Sequence, residues 1–400
     1  MAHRPNDDTV FAEFDGTGVV FSIAQQRLYR LNETATGIWS SLCDHNATAT
    51  SAARQLAVQS GIELGVAADY VDACLRQWTD LGLLGPSISS GRKLRPCTTR
   101  VATSCPWPPD DIFLTGGATF GVTYPDESIA AAVRGVLGHL RVVDAVIPDH
   151  CFAIRTAGRS YRLLVPGWTG PLLPDAAAVG VELKAALLEE VLRTRPAAMA
   201  IHAAALASPQ GVVLLVGSSG SGKTTLAALL NAKGWPAIAD DAAIVDSDTS
   251  MIGGLALAYA VKPGSWPVLS DDYPEMQDLE MYLRPDGRAV KYAVPKTVAR
   301  SPVRAPVVSV LFPHYRKGAA LDLRRIEKVE ALARILSEAR NSAEWLSLEG
   351  FKTLAGVITR AAVLEVEYDN AQKAADALLP HYENRDRVAG PTQKTHDASS

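Results

Sequence analysis

The spacing of apolar residues changes once along the first 85 residues, from the alternation of strands to the periodicity of helices. β-branched and aromatic runs flank Gly16 and Gly18, which is typical of a β-hairpin. Beyond residue 32, apolar residues recur three and four positions apart, as on one face of a helix. The pattern predicts short strands within 9–31 and helices at about 33–43, 50–60 and 67–81, the last carrying Val71, Cys74, Leu75, Trp78 and Leu81.

A second folded unit begins near Ile112. Residues 112–166 alternate as strands around one helix, and the continuous apolar run Gly211–Val216 predicts a buried strand. Further elements are predicted as strands at 202–207, 237–239, 243–245 and 306–312, and as helices at 128–139, 178–194, 224–233, 328–340, 344–360 and 371–379. Strands and helices therefore alternate along the chain, which predicts an α/β fold.

Two polar segments divide the chain into domains. Residues 86–111 are dense in Pro, Ser and Arg and predict a linker. Residues 383–400 are polar and aperiodic and predict a disordered tail. The expected organisation is an N-terminal domain over 1–85, a linker over 86–111, a larger domain over 112–382 and the tail.

Composition excludes several classes of protein. The net charge of −4 shows no basic excess, so nucleic acid is not expected as a partner. Neither an apolar run of membrane-spanning length nor a signal-peptide core is found, so we expect no membrane association and a cytoplasmic protein. The odd number of scattered cysteines argues against both a disulfide framework and a structural zinc site.

A glycine-rich loop follows the buried strand and carries the clearest chemistry. Its sequence matches G-x-x-x-x-G-K-T, in which successive backbone N–H groups point at phosphate oxygens. Lys223 can reach the β- and γ-phosphates, and the Thr224 hydroxyl can ligate Mg²⁺. The predicted nucleotide-binding residues are Gly217, Ser218, Ser219, Gly220, Ser221, Gly222, Lys223, Thr224 and Thr225. ATP and Mg²⁺ are the expected cofactors.

Two carboxylates follow the next predicted strand. Asp240 and Asp241 come directly after 237–239, and a strand at this place in a P-loop fold ends close to the phosphates. One carboxylate can hold Mg²⁺, with Asp240 and Thr224 as the predicted ligands, and the other can accept the proton of an attacking hydroxyl. Paired aspartates are also typical of a solvated turn. His202 precedes the loop strand, and a lone histidine is more often structural than catalytic.

The order of these motifs resembles the HPr kinase/phosphorylase family. The shared features are a histidine-led strand at 201–205, the loop GSSGSGKTT, a helix and a strand ending Asp-Asp. The resemblance implies a fold similar to phosphoenolpyruvate carboxykinase and transfer of phosphate to a serine hydroxyl. Carried over to this sequence, Lys223, His202, Asp240 and Asp241 form the catalytic set.

The sequence departs from that family at two loop positions. Ser218 stands where the family often has Asp, and Thr225 stands where it often has Glu. The motif tied to phosphorolysis is not recognisable, so we expect kinase activity without phosphorylase activity. Basic residues in later segments are further candidates for clamping phosphate, namely Lys262, Arg284, Arg288 and Lys291. For each of them, a solvated position in a loop is an equally good interpretation.

The N-terminal residues resemble the coenzyme PQQ synthesis protein D family. The resemblance rests on 18–21, on Tyr29–Ala35 and on Ile38-Trp39. It implies a small winged-helix-like α+β domain that recognises the leader of a ribosomally made peptide. In that mode the peptide adds as a strand to a sheet edge, here near 19–30, and packs on a helix at about 67–81.

Together these features predict a serine kinase that acts on a ribosomally made precursor peptide or protein, with lasso-type peptides as the nearest class. The N-terminal domain would raise the concentration of the acceptor at the active site. Two alternatives stay open, a P-loop ATPase or nucleotide switch and a peptide-binding chaperone with an inactive kinase domain. The sequence leaves homo-oligomerisation open.

Overall fold

The computed structural model describes most of the chain, in ten stretches. These are residues 4–43, 48–85, 105–143, 146–195, 198–246, 251–284, 287–299, 303, 305–340 and 346–383. Most of the expected linker and of the expected tail, namely 86–104 and 384–400, lies outside these stretches.

The N-terminal unit has the predicted hairpin and the three predicted helices. An antiparallel sheet of order β1-β2-β3 is followed by a three-helix layer. The elements are β1 (Thr9–Phe14), β2 (Thr17–Ser22), β3 (Arg27–Arg30), α1 (Glu33–Cys43), α2 (Ala49–Ser60) and α3 (Leu64–Asp80). Thr48 caps α2 in a capping box with Ser51, and Gly61 ends that helix in the left-handed conformation.

The next unit is a five-stranded sheet of order β4-β5-β6-β7-β8 with two helices. Its elements are β4 (Asp111–Thr115), β5 (Ala118–Thr123), α4 (Glu127–Leu137), β6 (His150–Ala157), β7 (Ser160–Val165), β8 (Trp168–Leu173) and α5 (Ala176–Thr194). Each strand and helix predicted between 112 and 194 falls in one of these elements, except that the helix predicted at 128–139 ends at Leu137 and is followed by a 3-10 turn, Gly138–Leu140. β8 was not predicted, because its apolar residues are interrupted by Gly170 and Pro171.

A disulfide in this unit corrects the expectation drawn from the cysteines. Cys105 is bonded to Cys151, the second residue of β6, with their Cα atoms 5.6 Å apart. That separation is ordinary for a disulfide. The two residues are 46 positions apart in sequence, and only the strand order brings them together.

The strand predicted at 202–207 begins one residue later, and a strand that was not predicted precedes His202. β9 (Ala198–Ile201) belongs to a four-stranded sheet and β10 (Ala203–Ser208) to a six-stranded sheet, so His202 lies at the junction. β11 (Gly211–Val216) and α6 (Lys223–Ala232) follow as predicted. The remaining elements are β12 (Ala237–Ala239), β13 (Ala243–Asp246), β14 (Ile252–Gly254), β15 (Tyr259–Val261), α7 (Trp266–Leu269), β16 (Met281–Leu283), β17 (Ala289–Ala293), β18 (Val307–Tyr315), β19 (Asp322–Arg325), α8 (Lys328–Leu336), β20 (Ala339–Arg340), α9 (Leu348–Arg360), β21 (Ala362–Tyr368) and α10 (Ala371–Glu383).

The C-terminal part is built on the six-stranded sheet β12-β10-β11-β18-β21-β19. The four-stranded sheet has the order β14-β13-β9-β20, and β15-β17-β16 form a third sheet. The helix predicted at 328–340 ends earlier, at Leu336, because residues 339–340 pair with β9 as β20. A mixed α/β fold with several sheets is therefore present, together with the small N-terminal α+β unit.

The N-terminal sheet packs on both of its faces. Val20 faces the core formed with α1–α3, whereas Val19 and Phe21 face the core that contains α8 and α9. Phe21 stacks on Phe351 of α9 with the ring centroids 4.9 Å apart. The two-residue alternation of β2 thus joins the N-terminal unit to the C-terminal part.

Within the ten described stretches, no helix is both long and apolar enough to cross a membrane.

Candidate functional site

Three strand ends meet at one edge of the six-stranded sheet. β10 runs antiparallel to β11, with Ala203 opposite Val216, and β12 runs antiparallel to β10. The residue before β10 and the residues after β11 and β12 therefore lie at the same edge. The sheet topology therefore brings His202, Gly217 and Asp240 together there. The sequence predicted this proximity for the strand that precedes the loop and for the strand that ends before Asp240.

The glycine-rich loop, residues 217–224, is held by contacts to neighbouring strands. Gly222 has φ of +99°, and its carbonyl oxygen accepts a hydrogen bond of 3.3 Å from the Tyr368 hydroxyl. The Ser221 carbonyl accepts from the Tyr315 N–H at 3.1 Å. α6 begins at Lys223, so the unpaired N–H groups of its first turn face the loop. This geometry suits an anion such as phosphate.

The Lys223 amine is turned into the loop and towards His202. It donates to the carbonyls of Gly217 and, at 3.3 Å, Ser218, and lies 3.3 Å from His202 Nε2. The residue is only 6% exposed. Burial lowers the pKa of Lys223, while the charges of Asp241 and Glu338 oppose that change.

Asp241 joins the histidine to a lysine that the sequence analysis missed. His202 Nδ1 lies 3.0 Å from Asp241 Oδ1, and Lys184 of α5 forms an ion pair with Asp241 Oδ2. Although burial opposes it, the charge of Lys184 and the bond from His202 lower the pKa of Asp241. The bond to Asp241 in turn raises the pKa of His202. Asp241 is therefore ionised at neutral pH.

Asp240 is in a different environment from its neighbour. It is 6% exposed, it interacts with the Thr224 hydroxyl and the Ala260 N–H, and its Oδ1 is buried without a hydrogen-bond partner in the described part of the chain. Burial, followed by the charge of Asp241, raises the pKa of Asp240 to about 6. An orphaned carboxylate oxygen beside the threonine hydroxyl fits a Mg²⁺ ligand.

A Mg²⁺ ion at this site would need ligands from both the protein and the nucleotide. Among the described residues no group of three or more His, Cys, Asp or Glu side chains could form a metal cage. Mg²⁺ is commonly held by one or two carboxylates together with substrate phosphates and water. Asp240 and Thr224 meet the protein side of that requirement.

Two of the four additional basic candidates converge on the loop. Lys262 Nζ donates to the Ser219 hydroxyl at 2.8 Å, and Arg288 Nη1 donates to the same oxygen at 3.1 Å. Lys291 instead donates to the Met276 carbonyl at 2.7 Å and lies over the Trp266 ring. Burial raises the pKa of Tyr292 of β17, and the positive charge of Arg284 opposes that change.

Several residues that shape the site carry no motif in the sequence. Lys184 is the single lysine of α5, a weak signal, and Tyr368 lies 144 positions beyond Thr224. Thr225, a predicted nucleotide contact, has its hydroxyl 2.6 Å from that of Ser265. Ser265 follows Lys262 by three residues, so the loop and the 262–265 turn are in direct contact.

A second candidate site is a groove of about 1060 Å³ in the N-terminal unit. It lies between α3 and β3, the outer strand of its sheet in the described part of the chain, and these segments overlap those near which the sequence predicts peptide binding. The lining is mainly apolar and includes Tyr29, Leu31, Leu56, Ile62, Tyr70, Cys74, Trp78 and Leu81, together with the polar residues Arg30, Asn32 and Glu33.

Comparison with known proteins assigns the N-terminal unit to a class. Residues 17–84 match the family model described as coenzyme PQQ synthesis protein D. This segment is therefore a domain like that protein, and it includes both walls of the groove. The match spans a minor part of the chain.

Among 29 matching chains of solved structures is one titled "TbiB1 in Complex with the TbiA(beta) Leader Peptide". That match has 17% sequence identity and a TM-score of 0.20, and covers 20% of this chain and 93% of the other. No curated protein matches the chain.

Proposed function

We propose that the protein is an ATP-dependent kinase that phosphorylates a hydroxyl, expected to be that of a serine, in a ribosomally made precursor peptide, with lasso-type peptides as the nearest class. The observation that carries the proposal is the unbroken contact from the loop to a carboxylate. Lys223 lies 3.3 Å from His202, and His202 lies 3.0 Å from Asp241. These groups are the phosphate-binding and proton-accepting parts that phosphoryl transfer needs.

The loop and its basic neighbours would hold the triphosphate. The N–H groups at the start of α6 and the Lys223 amine supply positive charge to the β- and γ-phosphates. Lys262 and Arg288, both hydrogen-bonded to Ser219, add two cations beside the loop. Bound Mg²⁺, held by Asp240 and Thr224, would neutralise phosphate charge.

Asp241 is the better candidate for the proton acceptor. Its side chain is 35% exposed, whereas Asp240 is enclosed beside Thr224. The acceptor hydroxyl gives its proton to the Asp241 carboxylate, its oxygen bonds to the γ-phosphorus, and the bond to the leaving ADP breaks. A carboxylate of low pKa is sufficient, because phosphoryl transfer passes through a loose transition state that needs little deprotonation. His202 and Lys184 orient this carboxylate.

The groove supports a peptide as the carrier of the acceptor. β3 offers unpaired backbone groups at a sheet edge, and the apolar residues of α3 offer pockets for side chains. This combination suits an extended peptide that joins a sheet. A leader bound there would hold its core peptide close to the loop at a high effective concentration.

The test is transfer of labelled phosphate from γ-labelled ATP to the precursor peptide encoded beside this gene, with mass spectrometry to locate the phosphate. We expect one phosphorylated peptide product. Asp241→Asn and Lys223→Met should each reduce its rate by at least about a hundredfold, within the range found for groups that act on the transition state. Lys233→Met is the matched control, because Lys233 follows the other end of α6 and pairs with Asp376 at 2.7 Å.

Two results would favour the alternatives. ATP hydrolysis that neither needs nor labels a peptide would support an ATPase or nucleotide switch. Tight peptide binding with no transfer in the presence of Mg²⁺ and ATP would support a chaperone with an inactive kinase domain. Equal loss of transfer in Lys233→Met and Lys223→Met would remove the assigned role of the loop lysine.

A further inference from the structure

The sheet that forms the peptide groove also forms a wall of the core beneath α8 and α9. The groove opens on the α1–α3 side, and the opposite face of the sheet contributes Val10, Phe14, Val19 and Phe21 to that core. Phe21 and Phe351 are both almost fully buried and stack with their planes 6° apart. A change in the sheet therefore cannot leave α9 unaffected, because buried side chains are close-packed.

Polar contacts fix the same sheet to the start of each helix. The Gln26 side chain donates to the Leu346 carbonyl at 3.0 Å and accepts from the Leu346 N–H at 2.9 Å, just before α9. Arg30, which lines the groove, pairs with Glu327 at 2.8 Å, just before α8. The arginine pair is exposed and contributes little by itself. The buried packing and the paired Gln26 bonds are the stronger connection.

The other end of α8 reaches the candidate active site. The Glu338 carbonyl, two residues beyond α8, accepts a hydrogen bond of 2.8 Å from the His202 N–H. β20 then pairs with β9, with Ala339 opposite Ile201. Burial lowers the pKa of Lys223, and the negative charge of the Glu338 carboxylate opposes that change. The segment 327–340, which contains α8 and β20, therefore contacts the groove sheet at one end and the histidine at the other.

We propose that peptide binding in the groove and nucleotide binding at the loop are cooperative, and that α9, the α8 helix packed in the same core and β20 carry the coupling by positioning His202. This inference rests on the proposed function, since it takes the nucleotide to bind beside His202. A peptide strand added to β3 would stiffen the sheet against which α8 and α9 pack. A stiffer sheet restricts the motion of α8 and so holds His202 at the loop. Each ligand thereby lowers the conformational entropy that the other must remove when it binds.

The test measures binding to the full chain, and does not need phosphate transfer. A fluorescent leader peptide is titrated with and without Mg²⁺ and a non-hydrolysable ATP analogue. We expect the analogue to tighten peptide binding by about fivefold or more, the lower end of typical couplings. By linkage, the peptide must tighten binding of the analogue by the same factor.

Two variants separate coupling from folding. Phe351→Leu weakens the stack on Phe21, and Phe113→Leu is the matched control, because both phenylalanines are fully buried but lie in different cores. Gln26→Asn keeps a residue that tolerates the φ of +53° but is one methylene too short to bridge to Leu346. We expect Phe351→Leu and Gln26→Asn to lose most of the coupling, and Phe113→Leu to keep it.

The outcomes distinguish this inference from the proposed function. If both ligands bind and neither alters the affinity of the other, the coupling is refuted while the kinase proposal stands. Coupling that survives both variants as fully as it survives in Phe113→Leu refutes the route through α8 and α9. If the analogue does not bind at all, both proposals fail.

Discussion

Gly222 gives the sharpest test of the loop geometry. With φ of +99°, it has a backbone conformation that residues with a side chain rarely adopt. A methyl group there would also point directly at the Tyr368 hydroxyl. Gly220 has a similar φ of +94°, but a methyl group there would meet no atom within 4 Å. Replacing each by alanine therefore compares strain alone with strain plus overlap.

The expected magnitudes follow from these two terms. Backbone strain should raise the free energy of the loop conformation that binds nucleotide by about 1–3 kcal/mol in both variants. The overlap adds about 1–3 kcal/mol to Gly222→Ala only, because Tyr368 is 1% exposed and has no room to withdraw. At tenfold per 1.4 kcal/mol, Gly222→Ala should bind nucleotide roughly five- to 150-fold more weakly than Gly220→Ala.

The assay is titration with a fluorescent ATP analogue in the presence of Mg²⁺, with thermal unfolding of each variant as a check on folding. Tyr368→Phe removes the hydroxyl and leaves the ring carbon 3.2 Å from the added methyl group, a tight but tolerable contact. The double variant Gly222→Ala/Tyr368→Phe should therefore recover most of the additional loss. Equal affinities for the Gly222→Ala and Gly220→Ala proteins, or no recovery in the double variant, would refute this reasoning.

Three further predictions concern the carboxylate, the sheet packing and the groove. Burial raises the pKa of Asp240 to about 6, above the unfolded value of 3.8. The free energy of unfolding of the metal-free protein should therefore fall by about 3 kcal/mol as pH rises from about 4 to above 6. Asp240→Asn should lack this loss in pH-dependent denaturation, and parallel curves would contradict it. Phe21→Ala should lower the free energy of unfolding by about 3–5 kcal/mol in urea titration, and a cost below about 1 kcal/mol would mean that the sheet is not docked on Phe351. Cys74→Trp should weaken leader binding by about tenfold or more by filling the groove, with exposed Cys43→Trp as the control; equal affinities would exclude the groove.

Much of the candidate site could be found from sequence because the local pattern determines it. A buried strand, six residues of loop and a helix are consecutive, so the G-x-x-x-x-G-K-T spacing itself specifies where Lys223 lies relative to the helix start. Asp240 and Asp241 follow the next strand, and the pairing rules of sheets bring strand ends together. The roles of these residues remain predictions.

The environments of the two aspartates could not be predicted in this way. They are adjacent in sequence, yet Asp240 is enclosed beside Thr224 while Asp241 meets Lys184 and His202. Lys184, on α5, lies 57 residues upstream of Asp241. The pKa values depend on burial and on neighbouring charges, and both are properties of the packed structure.

The sequence by itself determined the strands and helices of the N-terminal domain, the loop at 217–224 and the α/β class, because those features depend on periodicity and on residues close together in the chain. Tertiary structure alone decided that Cys105 meets Cys151, that β9 and β10 join different sheets on either side of His202, and that Phe21 docks on Phe351. The physical reason is that these contacts join residues tens to hundreds of positions apart, where periodicity carries no information and packing selects the partner.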